Sequence, residues 1–220
     1  VSLTNLLIAV NVLVFLWEYA TGTFSGTNQQ QSLALYDRGG LYGVAVLQNG
    51  EWWRIVTGGF LHGGIAHIAL NMFALYQVGR FVEMLYGKRR FALIYALALV
   101  GSGLAVVFLT PDEVTIGASG AIFGLFGALV SVGVRMGPRG RSLITQVLPI
   151  IVINLVFTFA FPGISWAAHV GGLITGFVAG LLLYMVSPRE RQRAYAYAFQ
   201  PTADRGRVQT IEQPPAEPPR

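Results

Sequence analysis

Ser119 stands in the run Gly117-Ala118-Ser119-Gly120, and the 220-residue chain carries three histidines, His62, His67 and His169. A serine hydroxyl is a poor nucleophile until a base removes its proton, and imidazole titrates near neutral pH. His67 and Asn71 are four residues apart, so a helix carrying them presents both on one face. The glycines flanking Ser119 permit a sharp turn with close backbone approach. A helix starting at Ser119 would aim free amides and its dipole at a developing oxyanion. The chemistry open to this set is acyl transfer, with Ser119 as nucleophile and His169 as base. His67, Asn71 and the Ser119 amide are the oxyanion candidates. Phe123, one turn after Ser119, is placed to pack on the His169 ring and hold its orientation. No metal or other cofactor is expected. The chain has no cysteine, and His62 and His67 lack the spacing and nearby carboxylate of a usual zinc site.

These residues must be positioned by a membrane protein. The chain is 54% hydrophobic and 11% charged, where a soluble domain carries about a quarter charged residues. Mean hydropathy is +0.57. Six apolar stretches predict six spans: Leu3–Ala20, Ile65–Tyr86, Phe91–Leu109, Ser119–Val134, Leu143–Phe161 and Ser165–Val186. The fold class expected is an all-α, polytopic bundle over 1–186. Residues 187–220, polar and proline-rich, are expected to be a disordered cytoplasmic tail. Val1–Ala20 lacks a basic leader and a small-residue cleavage site, so it reads as a span and not a cleavable signal. Residues 21–64 are aromatic and hold only four charges, which predicts an interfacial segment partly in the outer leaflet.

Charge placement orients the spans. Lys88, Arg89 and Arg90 follow the second span, Arg135, Arg139 and Arg141 follow the fourth, and Arg189, Arg191 and Arg193 follow the sixth. Positive loops stay inside, so both termini are expected in the cytoplasm. The formal charge of +5 is then a matter of topology, and a nucleic-acid partner is not required. Arg80 and Glu83, three residues apart, are expected to form a structural pair.

The fourth span is short. Its 16 residues make roughly 24 Å of helix against about 30 Å of hydrocarbon. With Arg135 holding the inner end, Ser119 must start below the outer surface. His62, His67, Asn71 and His169 fall near the same outer ends, and intramembrane ionisable groups point to function. No acidic residue is expected at that depth, which leaves a Ser-His dyad and not a triad. Gly172, Gly176 and Gly180 on the sixth span, and Gly120, Gly124 and Gly127 on the fourth, predict close packing of these two helices. A proton-coupled transporter is the rival class, but it would spread polar groups through the full depth. Water must reach the serine, so a cavity under a short lid at Phe161–Trp166 is expected.

Taken in order, Trp53-Arg54, His62 through His67 to Asn71, Gly117-Ala118-Ser119-Gly120, and His169 with Gly172 and Gly176 resemble the rhomboid protease family. The resemblance covers about Trp53–Gly180. It implies a Ser119–His169 dyad, an oxyanion site of His67, Asn71 and the Ser119 amide, and transmembrane protein substrates cut near their outer end. It implies a compact six-span form in a bacterial inner membrane, with lipid as the surroundings and the site opening outward. Trp53, Arg54, Glu83 and His62 resemble family positions of mainly structural use. The family often has tyrosine where Phe123 stands. Inactive relatives that bind membrane helices are the alternative, and such proteins usually lack the serine or the histidine.

Overall fold

A computed structural model describes residues 2–25 and 27–184. The expected disordered tail over 187–220 falls outside these residues, as does the end of the sixth span.

Helix α1 (Leu3–Ala20) has Ser2 as its N-cap. The segment that follows is folded. It holds α2 (Asn28–Asp37), the short strand β1 (Leu41–Tyr42), α3 (Gly43–Asn49) and α4 (Arg54–Thr57). Next come α5 (Ile65–Ala74), a wider π-helical turn at Leu75–Gly79, and α6 (Arg80–Tyr86), which together fill the expected second span. The rest of the chain is α7 (Lys88–Leu109), strand β2 (Val114–Thr115), α8 (Ser119–Arg135), α9 (Arg141–Ala160) and α10 (Trp166–Leu183).

Helices α1, α7, α9 with its leading turn, and α10 are each long and apolar enough to cross a bilayer. Residues 54–60 and 65–86 meet that requirement together, bent by 96°. Helix α8 is apolar but has 17 residues, about 26 Å of rise. The chain is therefore an all-α, multi-pass integral membrane protein, and the short apolar α8 stands at the place of the expected fourth span. Large apolar side chains on α1 and α9, such as Leu13, Leu16, Ile153 and Val156, are exposed, as suits lipid contact.

Helix α8 occupies the centre, with 13 of its 17 residues buried, as a helix apolar all round must be. It packs most closely on α10. A Cβ built at Gly172 would fall on the Gly120 carbonyl oxygen, and one at Gly176 on the Gly124 backbone. At the end away from Ser119, the Tyr86 hydroxyl lies 3.2 Å from both the Ala128 and Gly180 carbonyls and 2.9 Å from Ser131 Oγ. One phenol thus ties α6, α8 and α10 together.

Arg80 and Glu83 do not pair as expected. Arg80 donates to the Tyr76 hydroxyl at 2.6 Å and lies over its ring. The Glu83 carboxylate instead caps α1, accepting from the Leu3 and Thr4 amides and the Ser2 and Thr4 hydroxyls at 2.6–3.0 Å. The free amides of a helix start are the better partner for a carboxylate than one exposed arginine on the next face.

Gly176→Val puts a branched side chain into backbone. Overpacking of this kind costs about 1–3 kcal/mol, so the melting temperature in detergent is expected to fall by about 2–12 °C. Thermal unfolding followed by scattering or intrinsic fluorescence checks this, and an unchanged midpoint would show that α8 and α10 can separate freely.

Candidate active site

The loop into α8 is fastened before the helix begins. β1 and β2 pair antiparallel, Leu41 opposite Thr115 and Tyr42 opposite Val114. The Gly117 amide then donates to the Gly58 carbonyl at 2.9 Å. Gly117 has φ +109°, a conformation L side chains rarely adopt, and a Cβ there would lie 2.7 Å from His67 Nε2. Ser119 follows as the first residue of α8. At Gly120 a Cβ would run into Ser102 Oγ and approach the Ala168 carbonyl to 3.2 Å, so α8 starts pressed against α7 and α10.

Ser119 Oγ is 2.8 Å from His169 Nε2. His169 sits in the first turn of α10, where the Ser165 hydroxyl accepts from the Ala168 amide. Phe123 stacks on the imidazole with ring centroids 4.1 Å apart and planes at 15°. Residues from α8 and α10 that the sequence predicts as partners are thus brought together. A residue that sequence reasoning passes over completes the contact. Thr158 of α9, 4% exposed, places its Oγ1 2.8 Å from His169 Nδ1. A lone threonine in an apolar helix signals nothing, because its hydroxyl can always bond its own backbone one turn back. Thr158 does that too, donating to the Asn154 carbonyl at 2.7 Å.

On α5, His67 Nδ1 accepts from the Gly63 amide at 3.2 Å. An amide nitrogen can only donate, so the proton of neutral His67 is on Nε2, the nitrogen beside Gly117. Asn71 uses one amide hydrogen on the His67 carbonyl at 2.9 Å and keeps the other. His67, Asn71, Gly117, Ser119 and His169 line one cavity of about 380 Å³, with Pro162–Ser165 on its rim. That rim lies within the segment expected to form a lid. The donors His67 and Asn71 therefore face the same space as the Ser119 hydroxyl. Such a site can hold a carbonyl, attack it and shelter the resulting negative oxygen.

His62 is fully buried beside this cluster. Its ring is 5.1 Å from that of His67, its Nδ1 is 3.2 Å from the Phe60 carbonyl, and its amide donates to Glu18 at 3.3 and 3.4 Å. Glu18 corrects the expectation that no acid lies at this end of the spans. It is fully buried in the last turn of α1, beside the loop that carries His62. The acid does not make a triad: the nitrogens of His169 are engaged by Ser119 and Thr158, neither a carboxylate.

Arg54 holds the first connection in shape. Its Nη1 donates to the Tyr36 and Gly40 carbonyls at 2.6 and 3.0 Å, its guanidinium lies over the rings of Tyr36 and Trp53, and Nε pairs with Glu51. The hydrogen bond from the Arg54 guanidinium holds that half-buried carboxyl below its usual range. Trp53 and Arg54 thus brace β1, and through it β2 and the approach to Ser119. Gly172 and Gly176 lie in the α8–α10 seam and not in the cavity lining.

A profile described as the rhomboid domain matches residues 49–186. The chain is 39% identical over 183 residues to "Rhomboid protease GluP" of Bacillus subtilis (strain 168), covering 83% of this chain and 35% of that protein. It is 34% identical over 146 residues to "Putative rhomboid protease YdcA" of the same organism, covering 66% of this chain and 72% of that protein. It is also 35% identical over 142 residues to "Inactive RHOMBOID-like protein 8" of Arabidopsis thaliana, covering 62% and 40%. Apart from YdcA, the chain spans 35% and 40% of the length of these relatives.

Proposed function

This chain belongs to the rhomboid family, and on that premise we propose that it is an intramembrane serine endopeptidase acting on transmembrane segments of other proteins. The observation that carries the reading is the 2.8 Å contact between Ser119 Oγ and His169 Nε2 beside a cavity lined by His67 and Asn71. Ser119 attacks the scissile carbonyl while His169 Nε2 takes its proton. The His67 Nε2–H, the free Asn71 hydrogen and the Ser119 amide stabilise the tetrahedral oxyanion. His169 returns the proton to the departing amine, which leaves an acyl ester on Ser119. Water then attacks the ester with His169 again as base, and collapse releases the new carboxylate and the free serine.

The clusters Lys88-Arg89-Arg90 and Arg135, Arg139, Arg141 lie at the end of the bundle away from Ser119. The positive-inside rule sets that end in the cytoplasm, so the site opens to the outer face, in a bacterial cell membrane. Substrate cleavage falls near the outer end of its span. Entry is lateral, between α9 and α5, with 162–165 as the cover over the cavity. A disulfide joining α9 to α5 is expected to block transmembrane substrates, and full activity of the cross-linked protein would exclude this route.

Ser119→Ala and His169→Ala are each expected to lower cleavage by at least about 10⁴-fold while the protein still folds. A fluorophosphonate should label the parent at Ser119 and not the Ser119→Ala protein. A folded parent that neither labels nor cleaves would place the chain with the inactive helix-binding relatives. Asn71→Ala is expected to lower kcat by about 10²-fold with the melting temperature nearly unchanged. An equal loss of stability and activity would make Asn71 a structural residue only.

A further inference from the structure

We infer that Thr158 is a positioning residue that fixes which nitrogen of His169 carries the proton, and so keeps the other free to act as base. The inference deepens the proteolytic reading of the same site and rests on it. Its ground is the proton count of one hydroxyl. Thr158 Oγ1 makes two contacts, 2.7 Å to the Asn154 carbonyl and 2.8 Å to His169 Nδ1. A carbonyl oxygen only accepts, so the single hydroxyl hydrogen goes to Asn154. The contact with Nδ1 can then be a hydrogen bond only if Nδ1 carries a hydrogen and Thr158 accepts it. Neutral imidazole has one N–H, which leaves Nε2 with its lone pair 2.8 Å from Ser119 Oγ. The hydrogens run one way: Ser119 to His169, His169 to Thr158, Thr158 to the Asn154 carbonyl.

The alternative arrangement is disabling. With the proton on Nε2, the imidazole donates to Ser119 and cannot accept its hydrogen. Thr158 therefore performs, with a neutral group, the tautomer selection that a carboxylate performs in a Ser-His-Asp triad. Packing points the same way. The buried residues of α9 are Leu143, Val147, Ile151 and Thr158, so beyond Ile151 the one buried residue is Thr158, with Leu155 half-buried beside it. The site end of α9 thus turns into the bundle the hydroxyl that holds the base.

Thr158→Val keeps the shape and removes the acceptor. The His169 Nδ1–H would then be buried without a partner, an unfavourable state for a donor. The ring is expected to move its proton to Nε2, where Ser119 can accept it. In ¹⁵N-histidine spectra of the full chain in detergent, above the imidazole titration, the parent should show His169 protonated on Nδ1 and Thr158→Val on Nε2. On a transmembrane substrate, kcat should fall about 10- to 100-fold with KM unchanged, and Thr158→Ser should restore both readouts. A Thr158→Val protein with kcat within twofold of the parent overturns the inference. So does lost activity with the Nδ1–H form intact, which marks a structural role only. The parent spectrum decides even if Thr158→Val does not fold, since an Nε2–H parent overturns the assignment outright. That spectrum needs no turnover. An inert parent holding the Nδ1–H form refutes proteolysis and sustains the positioning, and an active parent in the Nε2–H form does the reverse.

Discussion

The site depends on backbone meeting backbone along α8 and α10. With no side chain at Gly172 and Gly176, the α10 helix rests on the carbonyls of Gly120 and Gly124. That separation is what lets a short serine side chain reach a histidine on the neighbouring helix, 50 positions later in sequence. A Cβ at either glycine would run into the α8 backbone, so a larger residue there must push the two helices apart. Phe123 then stacks on the imidazole from the same helix that carries Ser119, so the distance and the ring plane are set by one interface. Tyr86 clamps the opposite end of the seam with a single hydroxyl shared by α8 and α10. In a bilayer, apolar side chains gain little by leaving lipid for protein, and close approach of small residues is the main source of helix association.

The polar groups inside the bundle are served largely by neutral partners. His169 lies between two hydroxyls, His67 takes a backbone amide, and Asn71 bonds the turn below it. An ionised acid beside the imidazole would have to be held without water, at a desolvation cost that the pair need not repay. Where carboxylates do enter the helices, they sit against backbone amides: Glu18 on His62, and Glu83 on the first turn of α1. The low dielectric strengthens each of these hydrogen bonds and penalises any that is left unmade. A directed chain of neutral groups suits such a setting, since its hydrogens are fixed by valence and no charge is stored.

Much of this was legible in the residue order. Apolar runs located the six helices to within about three residues at their described ends, because uninterrupted hydrophobicity has few competing explanations in a membrane protein. Glycine spacing identified the α8–α10 seam. What escaped has a common cause. Thr158 and Glu18 matter through the rotation of α9 and α1 about their own axes, and a nearly uniform apolar helix carries little record of its rotation. Spacing alone pairs Arg80 with Glu83, but the α1 N-terminus, some 80 positions away in sequence, takes the carboxylate. The folded structure within 21–64 was also hidden, since it draws its order from Arg54 reaching the Tyr36 and Gly40 carbonyls and from a two-residue ladder with β2.

The cavity over Ser119 has a consequence for timing. A volume of about 380 Å³ has room for on the order of ten water molecules. Each hydrolysed bond consumes one. On the proteolytic reading, the cavity has room beside Ser119 for the water that the second half of the reaction consumes, so that water need not cross lipid during turnover. On that reading, the competitor for the acyl ester is the amine just released. How quickly that fragment vacates the cavity, and not how quickly water diffuses in, would decide between completion and resealing of the chain.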